Sequence, residues 1–286
     1  MSDSLEYFRQ NRLPHIWCPG CGHGTVTGAL TRTLAKLGID KNNVVVVSGI
    51  GCSSRASGYL DFDTIHTAHG RAIAFATGIK LSRPEMHVIV MTGDGDCTAI
   101  GGNHFIHAAR RNIDITTIVM NNSNYGMTSG QYSPMTPTGM LGTTAPYGNV
   151  ERPFDLANLA VACGATFVGR STSYHVQLLA ELIEKALLNK GFSVVEAVVG
   201  CPTYYGRKNK LGGAVELFTW QKDHAVNIEA AAAMTPDKLE GKFLIGEMHN
   251  KAAPEFTAEY GALVESVRRK YDDFQGGVRG CAQNSD

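Results

Sequence analysis

Two groups of residues carry chemistry in their types and spacing. The first is Met91-Thr-Gly-Asp-Gly-Asp-Cys-Thr-Ala-Ile-Gly-Gly-Asn103, followed at a distance by Asn121-Asn122. An apolar run ends in Gly93-Asp94-Gly95-Asp96, and a helical pattern begins behind it. Glycines there let the backbone turn and approach a ligand, and a helix N-terminus offers free N–H groups to a phosphate. Asp94 adds a hard oxygen ligand of the kind Mg²⁺ takes alongside phosphate oxygens. Twenty-five residues lie between Gly95 and Asn121. That length holds one helix and the next strand, so it returns the chain to the neighbouring strand end. Asn122 is then placed to give its amide oxygen, and Asn124 its backbone carbonyl, to the same cation. Gly-Asp-Gly alone is a common turn and Asn-Asn a common loop start; together, at this spacing, they point to a diphosphate and Mg²⁺ site. A dinucleotide fold would want G-x-G-x-x-G after the first strand, and Gly49-Ile-Gly-Cys-Ser-Ser lacks the third glycine.

The second group is four cysteines. Cys18 and Cys21 form a CxxC within Trp17-Cys-Pro-Gly-Cys-Gly-His-Gly24, Cys52 lies in Gly49-Ile-Gly-Cys-Ser-Ser-Arg55, and Cys201 in Val199-Gly-Cys-Pro-Thr203. Thiolates at four such points hold either zinc or an iron–sulfur cluster. Structural zinc usually takes two compact pairs, whereas one pair and two distant singles suit a cluster wedged between loops. The bland alternatives are a redox dithiol for the CxxC and small buried hydrophobes for Cys52 and Cys201. Of the seven cysteines, Cys97 and Cys163 fall in helical stretches and read as core, and Cys281 as an incidental residue of the tail. An odd count without a secretion signal argues against a disulfide framework.

Polar groups near these loops complete the inventory. His66-Thr-Ala-His69-Gly-Arg71 precedes a helix, so His69 either faces the diphosphate or bonds locally at a helix start. Arg55, three residues past Cys52, is a candidate for a substrate carboxylate or an ordinary surface ion pair. His104 and His107 share a helix face without a third ligand, which favours packing.

The elements that must position these residues alternate. Short apolar runs at Val44–Ser48, His87–Thr92, Thr116–Asn121 and Phe192–Val199 read as buried strands. Between them, Gly24–Leu37, Arg71–Leu81, Ala99–Arg111, Phe154–Cys163 and Tyr174–Asn189 read as helices. The pattern predicts an α/β fold with a doubly wound, mostly parallel sheet, whose ligands sit beyond the carboxyl ends of the strands. Asn122–Val150 has no periodicity and is rich in Gly, Ser, Thr, Pro and Asn, as binding loops are. The alternation fades near Leu217. A catalytic domain over 1–215 is expected, with a C-terminal appendage over 216–286 that packs on it or on a partner. Phe256–Lys270 is its one helical stretch, and the last dozen residues read as a frayed end.

Composition narrows the class. With 286 residues, 43% hydrophobic and 18% charged, the chain can bury a sizeable core. The 26 basic and 26 acidic residues cancel, so no nucleic-acid footprint is expected. No long apolar run predicts a membrane span, and the polar start Met-Ser-Asp-Ser-Leu-Glu lacks a signal core, so a cytoplasmic protein is expected.

Six segments, in order, resemble one family. They are WCPGCGHG (Trp17–Gly24), VSGIGCSSR (Val47–Arg55), HTAHGRAIAFATGIK (His66–Lys80), TGDGDCTAIGGNHFIHAARRN (Thr92–Asn112), NNSNYGMTSGQYSP (Asn121–Pro134) and GCPTYYGRKNK (Gly200–Lys210). The chain between about Trp17 and Lys210 resembles the β subunit of 2-oxoacid:ferredoxin oxidoreductases, above all the 2-oxoglutarate enzymes (2-oxoglutarate synthase). It departs at Cys97, where a small apolar residue is usual, and at Met135, where threonine is usual.

The resemblance implies the fold of the thiamine-diphosphate (diphosphate-binding) domain and a definite activity. That activity is CoA-dependent oxidative decarboxylation of 2-oxoglutarate to succinyl-CoA and CO2 with ferredoxin reduction, reversible as reductive carboxylation. The implied cofactors are thiamine diphosphate, Mg²⁺ on Asp94, Asn122 and Asn124, and a [4Fe–4S] cluster on Cys18, Cys21, Cys52 and Cys201. The implied cofactor wall is Gly51, Cys52, Ser53, His69, Gly93, Asp94, Gly95, Asp96, Asn122, Asn124, Tyr125, Gly126, Met127 and Thr128. Arg55, His69 and Asn124 are the implied catalytic groups. The glutamate that activates the aminopyrimidine is missing, so an α subunit with an interfacial active site is implied, in a heterodimer or a dimer of heterodimers. The alternatives are the pyruvate enzyme of the same family and, in another class, a non-catalytic iron–sulfur or zinc scaffold.

Overall fold

A computed structural model describes residues 4–282, with side chains described up to Tyr271. The strands are β1 (Val44–Ser48), β2 (Asp63–His66), β3 (His87–Gly93), β4 (Thr116–Asn121), β5 (Phe167–Thr172), β6 (Ser193–Val198), β7 (Ala225–Asn227) and β8 (Phe243–Asn250). The helices are α1 (His23–Leu37), α2 (Ala56–Tyr59), α3 (Ala72–Ser82), α4 (Gly102–Arg110), α5 (Leu156–Cys163), α6 (Val176–Leu188), α7 (Ala214–His224), α8 (Ile228–Ala231), α9 (Pro236–Leu239) and α10 (Phe256–Ala282).

Valine runs make the central strands because β-branched side chains suit a pleated surface covered on both sides. In β1 the side chains alternate: Val44 and Val46 join one core cluster, Val45 and Val47 the other. The first cluster packs α1 (Val26, Leu30, Leu34) and α6 (Leu179, Leu182, Ile183) on one face. The second packs α3 (Ile73, Ala76), α4 (Phe105, Ala108) and α5 (Leu156, Ala160) on the other. Apolar residues four apart on α1 form its buried stripe, and burying a leucine such as Leu30 contributes about 1.5–3 kcal/mol. Gly38, left-handed at φ 63°, ends the helix.

The eight-stranded sheet has the order β2-β1-β3-β4-β6-β5-β8-β7. The pairs from β2 through β5 are parallel. β8 runs antiparallel to β5, and β7 pairs in parallel with β8. Residues after 215 therefore extend one edge of the same sheet. The chain leaves β1 toward β2 on one side and continues through β3 and β4 on the other, so the winding reverses between β1 and β3. Such a switch point opens a crevice at the carboxyl ends of the strands.

The four predicted strands lie where their residues placed them; β2, β5, β7 and β8 are additional. The predicted Ala99–Arg111 helix is a π-helical turn, Asp96–Ile100, followed by α4. The Phe154–Cys163 helix starts at Leu156, because Asp155 turns its carboxylate onto the N–H groups of Ala157 and Asn158. The segment 122–150 carries no helix or strand beyond a single bridge, Tyr125 with Gln131. Cys97 and Met135 both pack into the second core cluster, and Cys163 lies half-buried against it. The side chain of Cys281 and residues 283–286 lie outside the described residues. Among the described residues no helix is long and apolar enough to cross a membrane.

Candidate active site

The carboxyl ends of β3 and β4 are neighbours, with Gly93 opposite Met120. Asp94 and Asn122 thus leave the sheet side by side. Asp94 is 2% exposed, and one carboxylate oxygen accepts the hydroxyl of Ser133. One end of the Asn122 amide lies 3.1 Å from Asp94 Oδ1, 2.7 Å from the Asn124 carbonyl oxygen and 3.2 Å from Asn124 Oδ1. With the nitrogen at that end, it donates to three oxygens. With the oxygen there, four oxygens crowd together. The nitrogen-inward orientation satisfies the amide by itself, whereas a divalent cation bound there would favour the oxygen-inward one. Which end faces inward is set by what it bonds. Burial pushes the Asp94 carboxyl up to about 7, against the opposing pull of the Ser133 hydroxyl and nearby backbone N–H groups. A bound divalent cation reverses that balance, because its charge favours the carboxylate.

Around this point opens a cleft of about 130 Å³. All fourteen residues expected on the cofactor wall line it: Gly51, Cys52, Ser53, His69, Gly93, Asp94, Gly95, Asp96, Asn122, Asn124, Tyr125, Gly126, Met127 and Thr128. Gly95 is required by the Tyr125 ring, since a Cβ there would meet it at 2.2 Å. Asp96 acts chiefly as a strut. Its oxygens accept from Gly70 N at 2.7 Å, Thr92 Oγ1 at 2.7 Å and Ile50 N at 3.3 Å, which ties three loops together. His69 Nδ1 also lies 2.7 Å from Asp96 Oδ1, although the ring is turned too far for a linear hydrogen bond. His66 sits outside the cleft wall, near Gly49 O and Ser48 Oγ.

The four cysteines line a second cavity of about 90 Å³ next to the first. Cys18 and Cys21 come from the loop before α1, Cys52 from the end of β1, and Cys201 from the loop after β6. Cys52 Sγ and Cys201 Sγ stand 3.4 and 3.7 Å from where a Cβ on Gly126 would be, so both sulfurs pack beside the same glycine. Trp17 Nε1 donates to the Cys52 carbonyl at 2.7 Å and ties the first cysteine loop to the second. Gly22, left-handed at φ 84° with Ser173 Oγ only 2.7 Å from a would-be Cβ, lets the CxxC loop turn into α1. Burial raises the Cys21 and Cys52 thiols to about 11, and neighbouring thiols add to the rise. Such thiols ionise when a cationic metal centre compensates them. Among the described residues no three His, Cys, Asp or Glu side chains are set to hold a single ion. The four thiols thus line one cavity without closing on a single-ion site.

Arg55 is exposed and lines the thiol cavity, not the cofactor cleft. His104 and His107 lie on α4, away from both cavities. Sequence reading missed three contributors. Ser133 follows no motif beyond a Ser-Pro turn. Trp17 precedes the CxxC and reads as plain core. His23 lines both cavities, and burial lowers its pKa to about 4, which leaves the ring neutral. Its signal was adjacency to the CxxC.

A buried polar chain supports the asparagine loop. Glu196, 2% exposed on β6, accepts from Asn121 Nδ2 at 2.8 Å and from Arg170 Nε on β5 at 2.7 Å. Arg170 also reaches Asp155 at 2.6 Å, and Asn121 Oδ1 takes Ser123 N at 3.0 Å. Ser123 holds φ 58°, so this bond steadies an uncommon backbone between the two asparagines of the oxygen cluster.

Comparison with known proteins places this geometry in context. Residues 49–197 match the family model described as thiamine pyrophosphate enzyme, C-terminal TPP binding domain. The chain is 52% identical to the 2-oxoglutarate synthase subunit KorB of Methanothermobacter thermautotrophicus over 91% of each chain. It is 49% identical to the subunit of the same name from Methanocaldococcus jannaschii, over 94% of this chain and 99% of the relative. Among solved structures it is similar to the 2-oxoglutarate:ferredoxin oxidoreductase from Magnetococcus marinus with 2-oxoglutarate, coenzyme A and succinyl-CoA bound. That likeness has a TM-score of 0.83 at 33% identity, covering 93% of this chain and 90% of that one.

Proposed function

The chain belongs to the β-subunit family of 2-oxoglutarate:ferredoxin oxidoreductases, and from that membership we propose how its own residues divide the work. Asp94, the Asn122 amide oxygen and the Asn124 carbonyl would hold a Mg²⁺ that neutralises the charge of the thiamine-diphosphate cofactor. Cys18, Cys21, Cys52 and Cys201 would hold a [4Fe–4S] cluster. When bound, the thiamine cofactor supplies the electron sink for decarboxylating a 2-oxoacid, and the cluster supplies one-electron relay toward ferredoxin.

The protein's contribution is placement and electrostatics. Asp96 fixes the loops of Gly70 and Ile50 about the diphosphate, and it holds His69 at the cleft wall. The Glu196–Asn121 bond keeps the loop of Asn122 in register with Asp94. Tyr125, packed on Gly95, closes the floor of the cleft against water. Arg55, on the wall of the thiol cavity beside the cleft, is the cation assigned to the distal carboxylate of 2-oxoglutarate. An α subunit brings the aminopyrimidine-activating glutamate and the second wall, and coenzyme A takes the acyl group. Cysteines without disulfide partners are in keeping with a cytoplasmic complex.

The observation that supports this reading is the convergence of Asp94, the Asn122 amide and Asn124 at two adjacent strand ends. The test is co-production with the α subunit, followed by CoA-dependent ferredoxin reduction with 2-oxoglutarate and with pyruvate. Turnover on 2-oxoglutarate by the pair, and none by this chain alone, is expected. A preference for pyruvate would move the protein to the sister activity, and turnover by the chain alone would remove the α subunit from the active site.

A further inference from the structure

His23, the first residue of α1, is part of the wall between the two cavities: it lines the cofactor cleft and the thiol cavity alike. It is buried, and its Nδ1 makes no hydrogen bond of normal geometry, although the Cys21 backbone interacts with the ring. Buried polar atoms are paired in native proteins, so an orphan on a cavity wall marks a bond that the cavity's occupant completes. Two observations place the ring nearer the thiol side. Its ring centroid lies 6.0 Å from that of Trp17, which lines the thiol cavity and not the cleft. Trp17 is itself fixed by its hydrogen bond to the Cys52 carbonyl, so His23 is held against a rigid neighbour between two of the cysteine loops.

We propose that His23 is a positioning residue for the cluster, its Nδ1–H donating a hydrogen bond to a cluster sulfur. This rests on the assignment of a [4Fe–4S] centre to Cys18, Cys21, Cys52 and Cys201. A donor aimed at sulfur stabilises the extra negative charge of the reduced centre, and such bonds are among the levers that set cluster potentials. His23 thereby keeps the cluster a competent acceptor for electrons that leave the neighbouring cleft.

The test uses the anaerobic α–β complex with wild-type His23, His23→Phe, which keeps a ring and removes the donor, and His23→Gln, which keeps an N–H. Iron content is measured first, then the cluster's reduction midpoint by spectroscopically monitored titration. His23→Phe is expected to retain iron and shift the reduction equilibrium toward the oxidised cluster by about tenfold, or about 59 mV for one electron. His23→Gln is expected to recover most of that shift. Wild-type midpoints in both iron-replete variants overturn the proposal. So does an unchanged midpoint with weakened thiamine-diphosphate affinity in His23→Phe, which would give the ring to the cofactor. A wild-type complex without iron would overturn the cluster assignment itself, a result separable from the other two.

Discussion

The cofactor cleft and the thiol cavity share a wall, yet they are assembled in different ways. Asp94 and Asn122 come from β3 and β4, an adjacent hydrogen-bonded pair, so the sheet register sets their separation. Cys52 and Cys201 follow β1 and β6, the two strands that flank that pair in the order β1-β3-β4-β6. Cys18 and Cys21 come from a loop with no place in the sheet. The inner site inherits its precision from backbone pairing. The outer one depends on loop ties such as the Trp17–Cys52 bond and the left-handed turn at Gly22. A sheet edge can therefore host two centres side by side, one preformed and one gathered.

The comparison breaks if damage to one site spreads to the other. The largest expected effect is that of Asp94→Ala: thiamine-diphosphate binding, measured by calorimetry, should be lost because the diphosphate charge goes uncompensated, while iron content stays at the wild-type level. Near-normal cofactor affinity would remove Asp94 from the magnesium shell. Cys201→Ser should bleach the cluster absorption, since a hydroxyl replaces a thiolate poorly, and leave cofactor affinity intact. Cys163→Ser should leave the iron content alone, and wild-type iron in Cys201→Ser would strike Cys201 from the ligands.

A smaller effect sharpens the comparison. Arg170→Met leaves Glu196 buried and uncompensated, at a cost of about 3–5 kcal/mol in unfolding free energy. Because Glu196 also braces Asn121, the same variant should weaken cofactor binding more than iron retention; equal losses would mean that both sites lean on the same strut. The smallest effect concerns substrate. Arg55→Ala should lower kcat/KM for 2-oxoglutarate about tenfold, the equivalent of roughly 1.5 kcal/mol from one hydrogen-bonded charge. Pyruvate turnover should fall far less, and equal falls would assign Arg55 to the cofactor or the fold.

Much of the inner site was legible because its residues announce their backbone roles. Glycines flank the aspartate at a strand end, and the spacing to Asn121 equals one helix plus one strand. Strands β1, β3, β4 and β6 read easily as unbroken apolar runs. β5 did not, since Phe-Val-Gly-Arg-Ser-Thr places a charge mid-strand, and that charge is tolerated only because Glu196 pairs with it from β6. β8 carries Gly246, Glu247 and His249 and meets β5 across an irregularity, which hides it from any periodicity. In the outer site the cysteines and their grouping were legible, but the ties that draw the three loops together, such as the Trp17–Cys52 bond, were not. His23 and Ser133 escaped for the same reason: each looks like a helix start or a turn until tertiary structure shows what it faces.

The wall between the cavities has a thermodynamic corollary. His23, Cys52, Asn122, Gly126 and Met127 belong to both linings, so an occupant of either cavity touches atoms that the other occupant also needs. Linkage then runs both ways: whatever factor a filled thiol cavity imposes on diphosphate affinity, a filled cleft imposes on the affinity for the metal centre. A factor of one is the independence that the Asp94 and Cys201 variants test, and the order of loading changes the route but not the end state.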